Sequence, residues 1–253
     1  MDVNYRYEAW RRLVIILAGL LIGYSISSFS SIRDAVLSLT DFDQAFPTTV
    51  WPSLLSILVI FYIAKNAHGL LITLFDDHYE EKLEKDLMLV ICSWCLTTLL
   101  IGSFALVCKM SLLVKSGSTL ESRCIQLIAF ILFPNIILFL LDIFHLRAFE
   151  YAYRVSLLEL LRRIIREILE NPLHRDRHER YKYVWLLENF VSICIVVLWF
   201  VFLKTLDSPP LKIALTLWTL GILLLLNSAV DYVLNCRYFF FGQVSVVGRV
   251  SEA

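Results

Sequence analysis

The sequence predicts an all-α, polytopic helical membrane protein of about six transmembrane helices, with a cytoplasmic helical hairpin between the fourth and fifth. Three observations predict it. The 253 residues are 58% hydrophobic and only 18% charged, against roughly a half and about a quarter in soluble domains, and mean hydropathy is +0.71. Six apolar segments reach the ~20 residues that a spanning helix needs. The charged residues gather between those segments, above all in 147–183.

The spans are expected at 13–32, 50–74, 86–108, 124–146, 184–205 and 210–236, so that 1–253 form one membrane domain with 147–183 as its hairpin extension. The first apolar run, Leu13 to Phe29, reads as a membrane helix because no clear small-x-small cleavage site follows it. Thr48, Thr49 and Pro52 open the second span, and Asp207, Ser208, Pro209 and Pro210 open the sixth. A capping side chain followed by proline suits a helix start, where the missing N–H is not needed.

Orientation follows from the flanking bases. Of the 23 Lys and Arg residues, 16 lie at the N-terminus, in 75–86, in 147–183 and at the C-terminus, and 6 lie in the alternate loops. Both termini are therefore expected in the cytoplasm, from a plasma or inner membrane. Within 147–183, Leu157, Leu161, Ile164 and Ile168 make one apolar stripe, and Asn171-Pro172 ends that helix. The cluster Arg175, Arg177, Arg180 and Lys182 suits contact with the lipid bilayer's anionic headgroups; its alternative is a docking surface for a cytosolic protein. Nucleic acid is not expected as a partner.

Ionisable residues inside spans are expensive and often functional. Lys65, Asn66 and His68 lie toward the end of the second span, Asn135, Asp142 and His145 in the fourth, and Asn227, Asp231 and Asn235 in the sixth. Helical rise places most of them near the cytoplasmic interface, with Asn135 close to the middle. If their faces converge they line a polar vestibule, in which Lys65 pairs with Asp142 or Asp231. The bland alternative has them reaching headgroups and water. Pro134 beside Asn135 suggests a kink. In the first span Gly19, Gly23 and Ser27 recur every four residues and permit close helix packing, within the chain or between copies.

Cys92 and Cys95 form a C-x-x-C inside a membrane run, where cysteine usually acts as a small hydrophobe. Cys108 and Cys124 flank one loop, and a disulfide between them is the alternative to two free thiols. His174 and His178 have helical spacing but no third ligand, so no metal is expected. There is no phosphate-binding loop, nucleophile elbow or potassium-filter motif. No catalytic residue and no cofactor is expected; His68 and His145 as a haem pair are the weakest reading. The function expected first is to form or regulate a channel, pore or transport pathway, as a homo-oligomer. The alternative is a membrane-anchored accessory or effector subunit, fitting a stress or defence system, that docks a cytosolic partner through 147–183.

Overall fold

All regular structure among the described residues of the computed structural model is helical; these are 3–40, 50–73, 87–114, 117–145 and 180–234, with a few isolated positions between 156 and 166. The helices are α1 Val3–Ser27, α2 Phe29–Thr40, α3 Val50–Thr73, α4 Leu87–Cys108, α5 Met110–Leu113, α6 Leu120–His145, α7 Arg180–Thr205 and α8 Pro209–Leu225. A π-helical segment, Leu226–Val230, joins α8 to the short α9, Asp231–Leu234. In hydrocarbon a backbone must satisfy its own hydrogen bonds, and helices do so within one segment.

Three helical stretches are long and apolar enough to cross a bilayer, Leu120–Ile143, Val184–Thr205 and Pro209–Val233. The pair Arg12–Ser27 and Phe29–Leu39 makes a fourth if the two count as one broken span. The outer surface agrees with this. Along α7, Val197, Leu198, Phe200, Val201 and Phe202 are all exposed, an apolar strip that water would disfavour and lipid tolerates. The expected hairpin at 147–183 lies outside the described residues except for isolated positions and the first turn of α7.

The first span differs from the expectation. The helix bends by 53° at Ser28, and 29–40, expected to end a span and enter a loop, is a second helix. Serines cluster at the break. Ser25 Oγ donates to the Ile22 carbonyl and Ser27 Oγ to the Tyr24 carbonyl, both at 2.8 Å, a type of bonding that competes with the helix ladder and bends it. The Ser28 N–H is shared between the Tyr24 and Ser25 carbonyls, at 3.0 and 3.2 Å. Beyond the bend, Ile32, Ala35, Val36 and Leu39 point into the core and are 0–1% exposed. Arg33 and Asp34 stay outside.

α3 lies against α1, α2 and α8, while α6 lies between α4 and α7 and also touches α8. The core between them is built from Leu55, Ile63, Phe104, Leu127, Ile131 and Leu220, among others. α6 passes through Pro134 as one continuous helix, so the expected kink does not interrupt it. At the end of the bundle where α7 meets α8, Glu121 accepts from Lys204 Nζ at 3.0 Å and Lys212 Nζ at 2.6 Å. Nearby on α6, Arg123 Nη1 donates to the Ser38 carbonyl at 2.7 Å, tying α6 to the end of α2. Cys108 and Cys124 are free, buried thiols in the core, so the disulfide alternative does not hold.

Candidate functional site: a buried ionic centre

The π-helical segment sets up the site. Such segments are rare and recur where a helix must re-aim side chains. Here it delivers Asp231, fully buried, onto Lys65 of α3: Lys65 Nζ donates to Asp231 Oδ2 at 2.6 Å. The other carboxylate oxygen accepts from Trp185 Nε1 of α7 at 2.8 Å. Both partners of the ion pair are almost wholly out of solvent, with side chains 6% and 0% exposed. Such a pair is not a large net source of stability, since desolvation offsets most of the attraction, but breaking it by removing one partner is costly.

One turn further along α7, Asn189 Nδ2 donates to Asp142 Oδ2 of α6 and to its own helix at the Trp185 carbonyl, both at 3.0 Å. Glu188, the residue before it, is also buried, and its Oε1 has no hydrogen-bond partner among the described residues. Glu188 lies within electrostatic reach of Lys65, Asp231 and Asp142. Deeper in the bundle, Asn227 Nδ2 donates to Ser192 Oγ at 2.7 Å and to the Leu223 carbonyl at 2.8 Å. Nearer mid-bundle, Tyr62 OH donates to Asn135 Oδ1 at 2.6 Å. Polar pairs thus occur at successive heights. Counted from the start of α8 at helical rise, Thr216 lies about 10 Å in, Asn227 about 27 Å and Asp231 about 33 Å. Thr216 accepts from Trp199 Nε1 at 3.3 Å. Between Thr219 and Asn227, Leu220, Leu223 and Leu224 are fully buried.

Of the two partners expected for Lys65, it meets Asp231 and not Asp142, while Asp142, Asn227 and Asn135 are each buried and bonded to Asn189, Ser192 and Tyr62 in turn. Other expected residues fall elsewhere. Asn66 Nδ2 bonds its own helix at the Tyr62 carbonyl, and His68 Nδ1 meets Tyr232 OH at 3.1 Å. The side chain of His145, and Asn235 entirely, lie outside the described residues, as do Arg175 and Arg177; Arg180 and Lys182 sit in the first turn of α7 with their side chains undescribed. Gly19 and Gly23 have nothing within 4 Å of the space a Cβ would take, and with Ser27 they lie on an exposed face of α1. The face that packs within the chain is Val14, Ala18, Leu21 and Ser25 instead.

Sequence reasoning missed Trp185, Glu188, Asn189, Ser192 and Tyr62. A signal was present: Glu188-Asn189 is an acid and an amide four residues inside an apolar run, and Trp185 lies one helical turn before Asn189. No three His, Cys, Asp or Glu side chains among the described residues come together to hold a metal ion. No family model matches this sequence, and no curated protein or solved structure is significantly similar to it.

Proposed function

We propose that this protein is a multi-pass membrane protein whose buried ionic centre belongs to a transport pathway, forming it or regulating it. The observation that carries this reading is the centre itself. Three carboxyl groups and one amine are held inside a bundle of apolar helices, where ionisable groups are kept mostly for moving or sensing charge. The column of polar pairs from Asp231 through Asn227 and Ser192 to Tyr62 and Asn135 supports a route toward mid-membrane. Leu220, Leu223 and Leu224 stand as its closed gate.

In this reading the chain crosses the membrane six times. The bent α1–α2 pair, α3, α4, α6, α7 and α8–α9 are the crossings. Both termini and 147–183 face the cytoplasm, and copies of the chain associate. Helix lengths support it: α3 has 24 residues and α4 has 22, about 36 and 33 Å at helical rise, enough for a ~30 Å hydrocarbon layer.

The test is flux. The purified chain is reconstituted into proteoliposomes carrying an internal pH or cation indicator. Asp142→Asn and Asp231→Asn abolish or change the ion dependence of any flux the wild type supports. Unchanged flux in both variants removes the centre from the pathway. No flux from well-folded wild type under any ion gradient favours an anchoring subunit that works through its cytoplasmic segment.

A further inference from the structure

Charge accounting in the centre does not close. Asp231 is matched by Lys65. Asp142 is matched by the Asn189 amide, a donor without formal charge. Glu188, 8% exposed, has an oxygen with no donor. Fully ionised, these three carboxylates and one ammonium leave two negative charges unbalanced among the described residues, a costly state in a water-poor interior. One neighbouring acceptor shares the same deficit. Asn189 Oδ1, on a residue 5% exposed, is buried without a hydrogen-bond partner among the described residues. Asn189 is already fixed in the centre through its bond to Asp142. Among the described residues the centre is short of positive charge and short of donors.

We propose that Glu188 is a proton-binding site, loaded and unloaded from the side of the membrane where α7 begins, with Asp142 holding the second proton of the centre. The inference deepens the transport reading and rests on it for what the proton is used for. A metal cation fits less well. Hard cations take about six or more oxygens in an open cage, whereas the carboxyls here are separated enough that no metal-holding group forms among the described residues. A proton needs no cage. It converts a carboxylate from acceptor to O–H donor, the kind of group the centre lacks.

The step balances simply. A hydronium ion gives its proton to the Glu188 carboxylate and leaves as water; release is the reverse. Glu188 is four residues inside the apolar stretch Val184–Thr205, about 6 Å of helix, so the transfer to water is short. The charged and titratable groups around it among the described residues are Asp142 on α6, Lys65 and Tyr62 on α3, and Asp231 on α9. With Glu188 protonated, Lys65 has one carboxylate to satisfy and stays on Asp231. With Glu188 ionised, Lys65 is attracted by two. Proton occupancy is thereby coupled to the contact between α3 and α9.

The test is infrared difference spectroscopy on the full chain in lipid nanodiscs, stepped through pH. A protonated buried carboxylic acid gives a carbonyl stretch separate from amide and carboxylate bands. We expect such bands at neutral pH, one lost in Glu188→Gln and another in Asp142→Asn. Wild-type chain grown with carboxyl-13C glutamate shifts the Glu188 band and leaves the aspartate band in place, so the assignment holds even if a variant fails to fold. Absence of any protonated-acid band, or no change on glutamate labelling, overturns the proposal. So does a band that sodium removes at constant pH, which assigns the site to a metal cation. Proton binding without flux in proteoliposomes sinks the transport reading and leaves the site; flux with no protonated glutamate does the opposite.

Discussion

At the scale of the residue, Lys65 and Asp231 differ from the surface ion pairs among the described residues, because neither has water to fall back on. Lys65→Met leaves a buried carboxylate and Asp231→Leu a buried ammonium, and each should cost about 3–5 kcal/mol. The double variant removes both charges and should recover most of that loss. Unfolding of the three variants in detergent measures it, and simple additivity of the single effects would contradict the pairing. Glu121 provides the contrast. It holds Lys204 and Lys212 at an exposed corner, with side chains 38% and 50% exposed for Glu121 and Lys204. Water and salt screen it there. Glu121→Gln should shift the unfolding midpoint far less than Lys65→Met, and the difference from wild type should shrink in high salt.

At the scale of the element, α2 carries the sharpest prediction. Ile32→Ala and Leu39→Ala each remove a fully buried side chain and should cost about 2–5 kcal/mol. Gly19→Val on the outward face of α1 has open space to enter and should leave monomer stability unchanged. Equal effects would mean that α2 is not packed. The period was readable, since Ile32, Ala35, Val36 and Leu39 fall at helical spacing, but the segment was too short and polar to register as a span. The all-helical class and the positions of α3, α6, α7 and α8 were readable from apolar run length alone. The π-helical segment was not, because nothing in LNSAV distinguishes it from ordinary helix. Nor were the facing partners. Helical period puts Asn227 and Asp231 on one face of the sixth expected span, but only packing puts Ser192, Lys65 and Trp185 opposite them.

At the scale of the whole molecule, the described interior holds the buried ionic centre and the described outer surface is largely apolar. Thiol chemistry reads this arrangement without any assay of function. Cys95 and Cys194 are exposed, and Cys108 and Cys124 are buried. Maleimide attacks a thiolate, which forms in water, so in lipid Cys95 and Cys194, which face hydrocarbon in the proposed threading, and Cys108 and Cys124 in the core should all react only on unfolding. Reductant should leave the unfolding temperature unchanged in variants lacking Cys92 and Cys236. Early modification of Cys108 or Cys124 would show that the core around α4 and α6 opens more readily than its packing implies.

The bend at Ser28 bears on the order in which the chain is assembled. α2 leaves the ribosome early, yet the surfaces that cover Ile32, Val36 and Leu39 belong to α3, α4, α5 and α6, all synthesised later. Its cross-tie, Arg123 to the Ser38 carbonyl, arrives last of these. Until then α2, with Arg33 and Asp34 on its other face, suits the headgroup layer as a floating amphipathic segment. In the proposed threading, burial of the first helical pair is therefore finished only after α6 has been made. Truncated nascent chains ending before residue 120 should leave α2 open to water-soluble probes attached at Ser38, and chains extended past 145 should close it.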